Sequence, residues 1–396
     1  MSFLRAARAA LAGLNCLPRI PMALVVVAVF VLAGLSLSCG SSSSHGTSGH
    51  NHNAYVTLPA RGSVLLLHIN GATGAITLGA ETPQVQNTSP TGIALLPSKK
   101  FLYAINSSSH ADSISIFNVA SDGTLALSGT PSPAGNGPND AVIDPSGKYL
   151  LVTNNFGNNV SVYSIDAGSG ALSEVAGSPF PANSNPAEIL ITPSGKFVYV
   201  TNPGIGMVTA FSFSNGVLTQ LPTSPVPSGA GAIGLAVDGS ERFLYVANPS
   251  ASNPPPFSST TGNISGFNID PSTGALDTMP GSPFTAANGK GPSAVTVDPS
   301  GRFVYATTTG SSFSIWCFAI SPTNGQLVAA TNSPFSLTAG GLFALVDPSG
   351  NYLYIGSQDA NGIAGFTYDP STGAPTALAG SPFSTGAAPG KMVLSE

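Results

Sequence analysis

Asp140 and Glu188 stand 48 residues apart, each four residues ahead of the same position in a repeated turn. Seven such positions run along the chain: Gly92, Asp140, Glu188, Gly234, Ala294, Phe343 and Lys391. If neighbouring repeats form adjacent sheets about 10 Å apart, Asp140 and Glu188 can both reach one small ligand. Two loops of the same sector add Arg61, then His110 and Asp112. These residue types suit ester hydrolysis. His110 or Glu188 is a candidate general base toward water, with Asp140 as the third catalytic candidate. Lys391 and Arg61 are candidates to hold a carboxylate or phosphate, with Asp112 beside them as a substrate-binding residue. In a chain that is only 7% charged, ionisable groups gathered in one sector mark a candidate site. The competing reading is that they solvate a water-filled channel and pair with one another.

Other chemistries have no foothold. No G-x-S-x-G elbow is present, so a serine-hydrolase triad lacks its nucleophile. No His, Cys or Asp grouping has zinc spacing, and no glycine-rich phosphate loop opens a helix. Neither a metal nor a cofactor is expected. His45, His50 and His52 fall in a Gly/Ser-rich stretch and match no defined metal site. A sequence pI near 5.4 with 12 basic residues argues against a nucleic-acid partner. Cys317, in "FSIWCFAI", reads as a buried small hydrophobe.

What must position the candidates is a hairpin written repeatedly: "LLPSKKFLYAIN", "VIDPSGKYLLVTN", "LITPSGKFVYVTN", "AVDGSERFLYVAN", "TVDPSGRFVYATT" and "LVDPSGNYLYIGS". Asp-Pro-Ser-Gly is turn chemistry, with Asp first, Pro presetting its φ and Gly last. Each hairpin is followed by an alternating run and a glycine turn, at Gly74, Gly123, Gly170, Gly216, Gly274, Gly325 and Gly373. Four short strands per unit, A to D, with a period of 46 to 60 residues, describe a β-propeller blade. One such sheet cannot bury both faces alone, whereas a ring of them can. Six A–B hairpins stand against seven C–D turns. "APGKMVLSE" supplies an A strand without a B, and "AYVTLPARGSVLLLHI" supplies B and C without an A. The expected fold is therefore all-β: a seven-bladed propeller of four antiparallel strands per blade, closed by pairing of its N- and C-terminal strands. The B–C and D–A loops share one face, where the candidate site falls together with the Pro-rich insertion 250–263. Lys99, Lys100, Lys148, Lys196, Arg242 and Arg302 fall at turns of the opposite face.

Three domains are expected. Residues 1–39 read as an export signal, with arginines at 5, 8 and 19, an apolar run and the lipobox-like "LSLSC". Cys39 is then the lipidated residue, and the lipid anchor is the only membrane contact. Residues 40–53 read as a flexible Ser/Gly/His tether, and residues 54–396 as the propeller. The protein is expected to face the periplasm or cell surface.

Repeated "DPSGkflYvtN…vsvy.id..tGal" units in a seven-bladed ring resemble the propeller lactonase family, which includes 6-phosphogluconolactonases and muconate-cyclising enzymes. The resemblance covers residues 54–396 and implies hydrolysis of a small lactone or sugar-like ligand. The Pro-Arg-His run of that family has no counterpart here, the nearest segments being Pro138-Asn139-Asp140 and Pro186-Ala187-Glu188. That departure and the export signal favour the alternative, a non-catalytic envelope propeller binding a small molecule, glycan or partner protein through the loop face.

Overall fold

In four of the six hairpins an aspartate builds the turn; Leu96 and Thr192 stand in its place in the other two. Asp144 Oδ1 accepts hydrogen bonds from the Lys148 and Tyr149 amides at 2.8 and 2.6 Å, while the Gly147 amide donates to the Asp144 carbonyl at 2.8 Å. Asp238, Asp298 and Asp347 repeat the arrangement and are buried. Gly147 takes the left-handed φ of +71° that closes the turn, and Lys99 and Glu241 adopt the same conformation at φ 58° where other copies carry glycine. The computed structural model describes residues 50–396 except 86–87, 108–111, 250–261, 286–290, 309–312 and 396. Residues 1–39, where the export signal and the lipidated Cys39 are expected, His110 and nearly all of the Pro-rich insertion lie outside the described residues.

These hairpins extend into seven separate sheets, each with its strands hydrogen-bonded in the order D-C-B-A. We number the blades along the ring. Blade 1 takes A from Met392–Ser395, B from His52–Leu58, C from Ser63–Ile69 and D from Ile76–Glu81. The A strands of blades 2 to 7 are Pro90–Leu95, Pro138–Ile143, Ile189–Ile191, Gly234–Val237, Pro292–Val297 and Phe343–Val346. The expected clasp is present: Asn53, Ala54, Tyr55 and Val56 pair antiparallel with Ser395, Leu394, Val393 and Met392. His52 and Asn53, read from sequence as the end of the tether, belong to strand B of blade 1. The other described structure is strand and turn, apart from one 3-10 turn at Pro59–Arg61, and among the described residues no helix is long and apolar enough to cross a membrane.

The core is divided among seven apolar joints, one between each pair of adjacent blades. Trp316, Tyr245 and Phe318 fill the joint of blades 5 and 6; burying each large side chain is worth about 1.5–3 kcal/mol. A second device recurs. The phenols of Tyr55, Tyr103, Tyr199, Tyr245, Tyr305 and Tyr354 each donate to the carbonyl of the C–D turn glycine in the next blade, at 2.7–3.0 Å. Burial pushes these phenols up, Tyr55 to about 12, so the latches hold their protons far into alkali. The joint of blades 3 and 4 differs. Leu151 stands where the tyrosine would, and Tyr149 and Phe213, edge-to-face at 5.7 Å, fill the space.

Candidate functional site

The inner A strands line the channel, and the candidate residues sit at their starts: Asp140 in a bulge of strand A in blade 3, Glu188 and Lys391 immediately ahead of strands A in blades 4 and 1. Asp140, Glu188 and Lys391 each sit opposite a strand-B threonine. The Asp140 amide donates to Thr153 Oγ1 at 3.1 Å, the Glu188 amide to Thr201 Oγ1 at 3.0 Å and the Lys391 amide to Thr57 Oγ1 at 2.9 Å. Thr153 then donates across the joint to the Ala187 carbonyl at 2.7 Å, tying blade 3 to the residue before Glu188. The corresponding partners in blades 2, 5 and 7 are Ile105, Ala247 and Gly356, beside the uncharged Gly92, Gly234 and Phe343, while blade 6 keeps a threonine, Thr307, opposite the uncharged Ala294. These threonines were missed from sequence, although their signal was there in the "VTN" endings of two B strands.

The structure brings three of the named residues into contact. Lys391 Nζ lies 3.4 Å from Asp140 Oδ2 and 3.3 Å from Glu188 Oε1. The ion pair to Asp140 runs from blade 1 to blade 3, past Gly92 of the blade between. A Cβ on Gly92 would come within 3.0 Å of Asn139 O and Asp140 Cα, so only glycine admits this approach without a shift. Asp140 Oδ2 also accepts the Ile189 amide at 3.3 Å, an edge N–H of the next blade that strand pairing leaves open.

The electrostatics follow from that crowding. Water reaches about a third of Lys391 and Glu188 along the channel (32% and 28% of their side chains), while protein packs the remaining directions. Burial, with Asp140 adding repulsion, pushes the Glu188 carboxyl up to about 7 against the opposing pull of Lys391. Burial alone would lower the Lys391 ammonium, but Asp140 and Glu188 outweigh it and hold the group above its ordinary value. A lysine ammonium has three donors and two carboxylates take two, leaving one to turn toward a ligand.

The remaining named residues go elsewhere. Arg61 pairs with Glu81 Oε2 at 2.8 Å and donates to the Gly386 carbonyl at 2.6 Å, fixing the edge of blade 1 instead of joining Lys391. Asp112 accepts the Gly137 amide at 2.6 Å and so anchors the segment leading to Asp140. His110 lies outside the described residues. On the opposite face, Arg242 and Arg302 donate to the Pro322 and Pro370 carbonyls of the next blades and lie over Phe243 and Phe303. Cys317 is fully buried, and burial pushes its thiol up to about 12, far from a reactive thiolate.

The family model described as "Lactonase, 7-bladed beta-propeller" matches residues 35–180, 174–280 and 260–388. No curated protein matches the chain significantly. Among solved structures, a candidate 6-phosphogluconolactonase of Bacteroides uniformis is 19% identical with a TM-score of 0.73, covering 87% of this chain and 99% of its own. A second, from Bacteroides fragilis, is 19% identical with a TM-score of 0.72, covering 90% and 100%. A periplasmic gluconolactonase of Pseudomonas aeruginosa is 18% identical with a TM-score of 0.70, covering 88% and 99%. At these identities the likeness is one of fold.

Proposed function

The chain belongs to the seven-bladed β-propeller lactonase family, and from that premise we propose that it hydrolyses a small lactone beside Lys391. One observation supports this above the others: a single ammonium shared by carboxylates of two blades, one of them a carboxyl pushed up to about 7. A group titrating near neutrality is suited to take a proton and return it. In this reading, ionised Glu188 takes a proton from water as the water oxygen adds to the lactone carbonyl carbon. The carbonyl electron pair moves to oxygen, and the remaining Lys391 N–H stabilises that oxyanion. Collapse breaks the acyl–oxygen bond of the ring, and the departing alkoxide takes the proton back from Glu188. Asp140 keeps Lys391 charged and aimed. The product is an open hydroxy acid, whose ionisation releases one proton.

Alkali titration of lactone opening, at a pH where the spontaneous reaction is slow, tests the reading. Glu188→Gln and Lys391→Met are each expected to lower kcat/KM by at least tenfold, or about 1.4 kcal/mol. Lactone opening no faster than the blank, or a fully active Glu188→Gln protein, overturns it. A non-catalytic sugar or partner binder is the second reading. It is supported by the engagement of Arg61 with Glu81 and Gly386, which leaves Lys391 as the cation of the cluster. Binding without turnover would select it.

We also propose that the protein is exported and anchored through lipidated Cys39, on the strength of the basic, apolar and small-residue order of residues 1–39. The periplasmic description of the Pseudomonas neighbour agrees with this. Mass spectrometry of the native N-terminus should find a diacylglyceryl-modified Cys39; a chain still beginning at Met1 refutes the cleavage.

A further inference from the structure

Phe156 is the most exposed large apolar side chain among the described residues, at 69%. The others, Leu78, Leu127, Val217 and Val328, all lie on outer D strands at the rim of the ring. Phe156 instead occupies the B–C loop of blade 3, on the face where the inner strands begin. The loop is held firmly. The Asn155 amide donates to the Gly137 carbonyl at 2.7 Å, and the Gly157 amide to the Asn136 carbonyl at 3.0 Å. The ring rests on Gly137, where a Cβ would come within 2.5 Å of it, so only glycine permits this seat. On its other side the loop is tied to blade 4. Asn155 Nδ2 donates to the Pro186 carbonyl at 3.3 Å, and the Asn185 amide donates to Asn158 Oδ1 at 2.9 Å.

The loop therefore bridges the two segments that deliver the acids, Gly137 to Asp140 and Pro186 to Glu188. Three residues, bulged at the start of strand A, separate Gly137 from Asp140, a span of at most about 10 Å at 3.3 Å per residue. One sugar ring beside Lys391 leaves part of that span uncovered, and a second linked ring covers it. A fixed, solvent-facing aromatic ring flanked by asparagine amides is the surface that a pyranose recognises, its C–H face on the ring and its hydroxyls on the amides. We propose that this rim is a sugar subsite, and that the ligand is an aldonolactone carrying one further glycosyl unit, its lactone end beside Lys391 and its second ring on Phe156. This rests on the channel reading for the placement of the lactone end, but its test does not depend on turnover.

The test is calorimetric titration of the full propeller with two ring analogues that resist hydrolysis, glucono-δ-lactam and cellobiono-δ-lactam. The two-ring lactam should bind roughly tenfold more tightly, about 1.4 kcal/mol. Phe156→Ala should bring that ratio close to one, Phe156→Trp should keep it, and Val328→Ser on the outer rim should not change it. Because the Phe156 side chain is exposed, all these variants should melt with the parent. Equal affinity for the two lactams, no detectable binding of either, or a preference that survives Phe156→Ala overturns the proposal. A two-ring preference that disappears in Phe156→Ala supports it even if no lactone is opened, in which case the catalytic reading falls by itself.

Discussion

Glu188 keeps its proton to a higher pH in the folded ring than in the unfolded chain, because burial and Asp140 disfavour its charge. The sign of the consequence follows from proton counting. Between the ordinary carboxylate range and about 7, the native state binds more protons than the unfolded state at this site, so its contribution to stability falls as pH rises through that window. Glu188→Gln should flatten the decline, read as the change in urea midpoint between pH 5 and pH 8. An unchanged slope would show that Lys391 fully neutralises the group. A separate window lies below pH 4. Side-chain and backbone hydrogen bonds hold the exposed Asp122, Asp166, Asp270 and Asp369 below their ordinary values, and that stabilisation is lost only as acid protonates them.

At the scale of the strand, the tyrosine latches and the aromatic joints share one design. A strand-B tyrosine reaches the next blade, and the turn glycine there offers both space and a carbonyl. Tyr199→Phe removes one hydrogen bond and leaves the Gly274 carbonyl without that donor, at a cost of about 1 kcal/mol. The joint of blades 3 and 4 makes the converse test. Leu151→Tyr alone should overpack against Phe213 and lose about 1–3 kcal/mol, whereas Leu151→Tyr with Phe213→Ile should recover that loss by reproducing the pattern of blade 5. Chemical denaturation of the two proteins decides it; a double variant no better than the single one would mean the seam is specific to its own residues. The strand pattern was legible because seven copies repeat the same apolar alternation and C–D turn glycine, and four of the six A–B hairpins repeat the turn aspartate. The directions of Arg61 and Asp112 were not. Arg61 is set by Glu81, 20 residues on, and by Gly386 from the far end of the chain, the second a contact that exists only after the ring closes. Asp112 is set by an open amide on Gly137 that no spacing in the sequence announces.

For the molecule as a whole, closure depends on four residue pairs between His52–Leu58 and Met392–Ser395, reinforced by the Thr57 amide donating to the Lys391 carbonyl and the Lys391 amide to Thr57 Oγ1, both at 2.9 Å. Deleting residues 389–396 exposes the inner edge of strand B in blade 1 and the apolar faces of two joints, an invitation to edge-to-edge association. The truncated protein should aggregate or lose its single cooperative melt by calorimetry. A melt matching that of the full chain would contradict the clasp as the closing element. The seven-blade count and the clasp could both be read from sequence, because unequal numbers of A–B hairpins and C–D turns leave only one way to balance the ring.

Lys391 follows Asp140 by 251 residues. A ribosome therefore completes the blades bearing both carboxylates long before it makes their counter-ion. Until then the two acids lack the cation that joins them. That cation comes immediately before the strand that shuts the circle, so the pairing of both acids and the closure of the ring fall to one short stretch of chain.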